Sequence, residues 1–268
     1  MVSSLLAAID WHTVWQRLFH PDGVFLRALW TTVYIAVVAQ VIGVILGLLA
    51  ALMRMSRFPP LRALSGFYVL IFRGTPLLVQ IFFVFYGANL LLGFTLIPNS
   101  LNFGLFTLDG AVVAGIIALA LNEGAYMREI IRAGIDSIDR GQMEAARSLG
   151  MTYRLAMRRI VLPQAARVVV PPLGNEFNAM LKNTSLVFSI GVYEMFSDTE
   201  IRYSQTFKPV EFFGAVAIWY LLLTSIWTLI QSWIERKLNV SDRGDELSWR
   251  ERLVEAWTPM TAWARGAR

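Results

Sequence analysis

The chain has 268 residues, 56% of them apolar and only 16% charged, with a mean hydropathy of +0.53, which excludes a water-soluble domain of this size and makes the bilayer its solvent. The net charge is +5, and its distribution, argued below, points to membrane orientation rather than nucleic acid. With no cysteine, a disulfide framework, a thiolate nucleophile and an iron–sulfur cluster are excluded as well.

In chain order, the first ten residues lack a basic n-region, so no cleavable signal peptide is expected. In residues 10–20, Trp11, Val14, Trp15, Leu18 and Phe19 share one helical face, opposite His12, Thr13, Gln16 and Arg17. Segment 1–23 therefore suits an amphipathic helix in the outer interface, or a plainer aromatic anchor for the first span. No charge falls between Arg27 and Arg54, and a helix there is about 39 Å long, enough to cross a hydrocarbon core of about 30 Å. The second span follows the Arg54–Arg62 loop and ends near Tyr86. Beyond it Gly87, Asn89, Gly93, Pro98, Asn99 and Asn102 mark a polar outer loop. Leu108 to about Arg132, Pro171 to about Tyr193, and Phe212 to Ile234 complete an all-α integral membrane fold of about five transmembrane helices over residues 24–238.

Lysine and arginine orient it. One side collects 3, 8 and 7 basic residues in the Arg54–Arg62 loop, the Arg128–Arg167 island and the tail after Glu235; the other holds 2, none and 2. The N-terminus is thus outside and the C-terminus cytoplasmic, and the basicity is positive-inside bias rather than affinity for nucleic acid. In the tail, 239–268, Trp249, Leu253, Ala256 and Trp257 fall on one helical face, which predicts a membrane-surface helix.

There is no G-x-x-x-x-G-K-[ST] phosphate loop, H-E-x-x-H pair or G-x-S-x-G elbow. No catalytic residue and no metal ligand set is expected, and Ser185 beside Lys182 is the nearest approach to a nucleophile and base.

Between the third and fourth spans, the cytoplasmic loop of about 133–167 predicts two short helices parted at Gly150, a residue able to take positive φ. Glu144, Ala145, Ala146 and Arg147 lie in the first, where small alanines permit a close partner while Glu144 accepts and Arg147 donates hydrogen bonds. In the second, Tyr153, Met157, Ile160 and Val161 share an apolar face. Leu162-Pro163 follows; Pro163 is expected to end the helix and Pro171-Pro172 to reset the chain direction.

Ionisable groups inside spans mark partner contacts or substrate paths. Arg73 either stands beside a half-helix starting at Thr75-Pro76, whose positive end would face a carboxylate, or snorkels to the interface. Pro76 cannot donate to the Phe72 carbonyl. Gln80 lies one turn on. In the third span, Asn122 and Glu123 precede the small pair Gly124-Ala125; Glu123 either receives an ammonium group or pairs with Lys182. In the fourth, Asn175, Glu176, Asn178, Lys182, Asn183, Thr184 and Ser185 are too polar for a lipid-facing helix. They line a polar path or glue two subunits. The Gly191–Glu211 segment reads as an exposed charged outer loop.

The spacing Glu144-Ala145-Ala146, Gly150, Ile160, Leu162-Pro163 resembles the cytoplasmic loop of binding-protein-dependent type I ABC importer permeases. Arg73-Gly74-Thr75-Pro76-Leu77-Leu78-Val79-Gln80, the run from Gly124 to Arg132, and Leu181-Lys182-Asn183-Thr184-Ser185-Leu186 resemble its polar amino acid uptake branch. The resemblance implies a multi-pass subunit of the bacterial inner membrane. It also implies coupling through Glu144, Ala145, Ala146, Arg147, Gly150, Leu162 and Pro163 to separate ATPase subunits that hold the ATP and magnesium. A second permease, identical or paralogous, an extracytoplasmic solute-binding protein contacting the Gly191–Glu211 loop, and an amino acid substrate complete the expected assembly. The rivals are a secondary transporter driven by an ion gradient, with Glu123 or Glu176 as coupling carboxylate, and a membrane scaffold.

Overall fold

The computed structural model describes residues 9–87, 90, 100–102 and 107–238. The expected surface helix of the tail lies outside the described residues. Helix α1 (Trp11–Phe19) leads into α2 (Gly23–Met55), whose N-cap Asp22 accepts the Phe25 N–H at 2.8 Å. Residues 56–58 separate α2 from α3 (Pro59–Gly74), whose first turn holds Pro59 and Pro60, where no intrahelical N–H donor is required. After a break come α4 (Leu77–Phe82) and a π-helical turn (Phe83–Gly87), and the two halves of this second span meet at 109°. The outer loop contains a short antiparallel hairpin, β1 (Ser100–Asn102) and β2 (Thr107–Asp109), which the all-α expectation did not include. Asp109 then caps α5 (Gly110–Asp136).

On the cytoplasmic side lie α6 (Arg140–Ser148) and α7 (Tyr153–Ala156), the latter running through a π turn (Met157–Val161) into α8 (Leu162–Asn183) and a 3₁₀ segment (Thr184–Ile190). Helix α9 (Met195–Thr206) and α10 (Pro209–Lys237) complete the chain's described course. Helices α2, α5 and α10 are each long and apolar enough to cross a membrane, and the bent α3–α4 pair makes a fourth candidate. The expected span from Pro171 to about Tyr193 is divided between the end of α8 and the 3₁₀ segment, it carries Glu176 and Lys182, and α8 is not among the helices apolar enough to cross a membrane.

The core is the crossing of α2 with α5. Ile35, Ala36 and Ala39 pack against Ala114, Ala118 and Leu119, with Met180, Leu181 and Val187 closing one side. Gly43 and Gly47, four residues apart on α2, let the helices touch backbone to side chain: a Cβ on Gly43 would lie 2.6 Å from the Glu123 Cγ, and one on Gly47 would collide with Met127. Helix α3 is stitched across this pair. Ser65 donates to the Ala50 carbonyl at 2.7 Å and receives the buried Arg128 Nε at 3.2 Å, while Tyr68 donates to the Leu121 carbonyl at 2.6 Å.

Two sequence expectations are corrected here. The Gly191–Glu211 segment is no exposed loop, since most of it is α9, folded against α2 and α10. Glu194 caps α9 by accepting the Phe196 and Ser197 N–H groups and also receives the Tyr220 hydroxyl; Glu194, Asp198 and Glu211 are all buried. Charge alone does not reveal this, because an N-capping carboxylate and a solvated one look alike in sequence. Pro163 does not end a helix, and Pro171-Pro172 do not redirect one. Pro163 stands in the first turn of α8, directly after the π turn in which the Leu162 N–H bonds back to Met157, a widening that takes up the ring. Pro171 and Pro172 deprive the Arg167 and Val168 carbonyls of donors at a point where both residues are exposed, so the helix continues.

Substituting Gly47 by leucine is expected to cost about 1–3 kcal/mol through overpacking and to lower the thermal midpoint of the detergent-purified protein. Gly66→Ala, inside α3 with open space beyond it, does not lower that midpoint and raises it slightly, because alanine is the better helix former.

Candidate functional site

The cytoplasmic hairpin is built to present a surface. Asp139 caps α6 by accepting the Gly141 N–H at 2.6 Å. At its other end the Gly150 N–H bonds to the Arg147 carbonyl at 2.9 Å and the Met151 N–H to the Ala146 carbonyl at 3.1 Å. This paired closure needs a left-handed residue, and Gly150 supplies it with φ +81°. Ala146 is buried, whereas Glu144, Ala145 and Arg147 are exposed beside it. Leu149, which the sequence reading passed over, projects from the turn with 83% of its surface exposed. A large aliphatic side chain flanking a left-handed turn was the available signal.

Past the turn, Thr152 caps α7. Tyr153, Arg154, Met157, Arg158 and Leu162 line a shallow depression, while Ala156 and Val161 face inward. Of the expected apolar face, Val161 is buried, Met157 and Ile160 are half-buried and Tyr153 is exposed. Pro163 is exposed beside Leu162. From Tyr153 to Asn183 the chain stays helical, through the π turn and past Pro171-Pro172, so the second arm of the hairpin is continuous with the polar α8.

A second cluster gathers where the α3–α4 span breaks. The Phe72 carbonyl, left without a donor by Pro76, accepts from Gln80 Nε2 and Asn122 Nδ2, both at 2.9 Å. Gln80 Nε2 also reaches the Thr75 carbonyl and hydroxyl at 3.0 and 2.9 Å, and its Oε1 receives Asn122 Nδ2 at 3.0 Å. Thr75 is not an N-cap. Its hydroxyl donates back to the Ile71 carbonyl at 2.8 Å, and the capping position before α4 belongs to Pro76, which makes no side-chain cap. Arg73 is exposed, with its guanidinium 5.0 Å from the centre of the Tyr126 ring.

Glu123 sits one residue beyond Asn122, buried against Gly43, and accepts Gln40 Nε2 at 2.8 Å. The expected pair with Lys182 is not formed within the protomer: among the described residues Glu123 has no ion pair, and Lys182 is exposed on α8. Gln40 is a site residue the sequence reading missed, because a lone glutamine in an apolar span has no local pattern. Glu176, half-buried on α8, lies within electrostatic reach of both Arg73 and Glu123. Asn183 is half-buried. The Thr184 and Ser185 hydroxyls donate to the carbonyls of Leu181 and Lys182, both at 2.8 Å, which uses them to close the helix end.

The outer end is held by ions. Arg202 bridges Asp22 at 2.8 Å and Asp198 at 2.9 Å, Arg17 lies 3.7 and 3.9 Å from the same two carboxylates, and Lys208 bonds Asp10 at 2.7 Å. The Lys208 bond holds the Asp10 carboxyl well below the usual carboxylate range, and Lys208 is raised in return. Burial pushes the Tyr193 hydroxyl up to about 12, aided by its hydrogen bond to Asp198.

The sequence profile of binding-protein-dependent transport system inner membrane components matches residues 43–240. The chain is similar to the arginine transport system permease protein ArgU of Corynebacterium glutamicum, 40% identical over 239 residues that cover 85% of this chain and 72% of the relative. It is also similar to the L-cystine transport system permease protein TcyB of Bacillus subtilis, 38% identical over 237 residues and covering 88% and 94%. Among solved structures, that of an amino acid ABC transporter with histidines aligns with a TM-score of 0.69 at 39% identity, over 80% of this chain and 94% of the other. An inward-facing form of the MetNI methionine ABC transporter shares the fold, with a TM-score of 0.64 at 17% identity, over 80% and 96%.

Replacing Gln80 by leucine is expected to destabilise the protein by about 1 kcal/mol, through loss of the part-buried hydrogen bonds that join Phe72, Thr75 and Asn122 across the break. A thermal scan against Val79→Leu, whose site is exposed, isolates the effect; equal midpoints would show that the break stands without its polar stitch.

Proposed function

The chain belongs to the binding-protein-dependent transport system inner membrane component family, and we propose that it forms the multi-pass inner-membrane subunit of an ATP-driven amino acid importer. The observation that carries this reading is the continuous helical course from Tyr153 to Asn183. It joins a surface suited to docking, around Glu144, Ala145, Ala146, Arg147, Leu149 and Gly150, to the most polar of the membrane helices.

The working unit pairs this subunit with a second permease, a copy or a paralogue. ATPase chains inside hold the ATP and magnesium, and a solute-binding protein delivers substrate outside. A partner cleft receives α6 end-on: the alanines allow close approach, Leu149 fills an apolar pocket, and Glu144 and Arg147 fix register through charge-assisted hydrogen bonds. When two ATPases close on nucleotide, the two hairpins are drawn together. Each continuous α7–α8 segment transmits that displacement, and the bundle rocks between inward-facing and outward-facing states. The closure at Gly150 keeps α6 and α7 in fixed relation, so Leu162 and Pro163 move with the docked surface.

The solute path runs along the polar side of α8 and past the α3–α4 break. Arg73 offers a positive charge to a carboxylate, and Glu176 offers a negative one to an ammonium group. Thr75, Gln80 and Asn122 hold the break in shape through the hydrogen bonds around Phe72, and Glu123, tied to Gln40, adds negative potential behind them. Lys182 and Asn183 form the outer end of the path; Ser185 lies beside them, and Thr184, expected there too, is buried with its hydroxyl bonded to the Leu181 carbonyl. The chain performs no covalent chemistry on its solute.

Vesicle reconstitution tests this reading. Amino acid uptake is expected only when ATPase, ATP and binding protein accompany the permease. Accumulation by the permease alone, driven by an ion gradient, would replace the importer with a secondary transporter.

For coupling, Leu149→Asp and Glu144→Lys are each expected to weaken capture of the ATPase at least about tenfold, the effect of losing roughly 1.4 kcal/mol at an interface centre. The bundle's own thermal midpoint stays unchanged. Co-purification of an intact complex from both variants would remove the hairpin from the interface.

A further inference from the structure

Helix α1 lies ahead of the segment that matches the family profile, which starts at residue 43, and its three faces differ in kind. The inner face packs on α10: Thr13, Val14, Arg17 and Leu18 are half-buried, the Arg17 carbonyl accepts Trp219 Nε1 at 3.1 Å, and the Arg17 guanidinium lies 5.2 Å from the Phe212 ring centre. A second edge, one helical turn apart at each step, carries Trp11, Trp15 and Phe19, exposed by 59%, 58% and 59%, with the Trp15 and Phe19 ring centres 4.2 Å apart. His12 and Gln16 form a third, polar and exposed edge.

The attachment points fix the depth of this helix. Asp10 is bound to Lys208 at 2.7 Å, and its N–H donates to Glu211 at 2.9 Å. Seven residues further along α1, the Arg17 carbonyl meets Trp219. These contacts bracket residues 208–219 of α10, the outer end of the uncharged run from Phe212 to Ile234. The aromatic edge therefore stands where hydrocarbon gives way to headgroups. Elsewhere on the outer portions of the chain Trp30 and Val210 are also exposed, by 68% and 57%. Indole and phenyl rings favour that zone.

We propose that the Trp11, Trp15 and Phe19 edge of α1 is seated in the headgroup–acyl boundary of the outer leaflet, with a lipid bilayer as its partner. Because Arg17 also faces Asp22 and Asp198, the same helix ties the start of α2 and the whole of α9 to the membrane surface. Both elements then acquire a fixed height relative to the bilayer, which no contact between them alone provides. The inference rests on the membrane reading of the spans and is independent of what the protein transports.

The chain contains no cysteine, so single nitroxides can be placed by Trp15→Cys, Phe19→Cys and His12→Cys in the full protein reconstituted into liposomes. Relaxation by bilayer-dissolved oxygen is expected to exceed relaxation by a water-soluble nickel chelate several-fold at 15 and 19, with the order reversed at 12. Nickel-dominated relaxation at all three positions overturns the proposal, and so does shielding from both reagents at 15 and 19, which would mean that a protein covers the edge. For unmodified protein in vesicles containing a carbene-generating lipid probe placed at headgroup depth, modification of the peptide spanning 11–19 supports the seat, and its absence with α10 modified refutes it. Neither readout involves ATP or uptake, so failure of the importer reading would leave these results standing.

Discussion

Within hydrocarbon a backbone carbonyl has no water to turn to, and the polar architecture of this protein follows from that constraint. Pro76 strips the Phe72 carbonyl of its donor in the middle of a span, and two amide side chains, Gln80 from the far side of the break and Asn122 from α5, converge on the vacated oxygen. The repair is also a link: a 109° break becomes a fixed angle because it is hydrogen-bonded to the helix that crosses α2 most closely. At Arg167 and Val168, both exposed residues, no side chain among the described residues replaces the donor that Pro171 and Pro172 remove, and α8 continues.

The same economy separates what is rigid from what is docked. The α2–α5 crossing depends on Gly43 and Gly47, and in a membrane close van der Waals contact replaces the hydrophobic drive that such a crossing would have in water. Arg128, buried beside Ser65 and paired with Glu129, extends this rigid block to the cytoplasmic edge. The hairpin beyond it is of a different kind. Its charged and apolar groups, Glu144, Arg147, Leu149 and Tyr153, point away from the bundle, and only Ala146, Ala156 and Val161 attach it inward. A surface so composed suits a protein cleft and not lipid, whereas the helical segment behind it runs on into the polar α8.

Much of this was legible in the sequence. The uncharged runs give α2 and α10, the apolar stretch from Leu108 gives α5 despite its ionisable residues, and Pro76 after Gly74-Thr75 locates the break. Gly150 after an Ala-rich amphipathic turn gives the hairpin and its left-handed residue, since only a few residue types tolerate that conformation. What escaped notice depends on three-dimensional neighbours. The continuity of α7 with α8 was hidden because proline was read by its local rule, and the π turn that accommodates Pro163 leaves no mark in the sequence. The burial of Glu194, Asp198 and Glu211 was hidden because each finds its partners across the fold, at Tyr220, Arg202 and the Asp10 N–H. Gln40 became part of the site only once Glu123 was seen to lean on Gly43.

The distribution of ionisable groups along α8 bears on how the protein is used. A helix that presents Asn175 and Lys182 as exposed and Glu176 as half-exposed cannot face hydrocarbon on that side, where each such group costs roughly 2.5–3.5 kcal/mol or more. Among the described residues neither Glu176 nor Lys182 forms an ion pair, and Glu123 accepts from the neutral amide of Gln40. The polar side of α8 must therefore meet water, a zwitterion or the matching side of another permease chain, and in the proposed importer it meets all three in turn. These side chains stand on the helix that continues out of the cytoplasmic hairpin, an arrangement that suits a path opened and closed by what binds there.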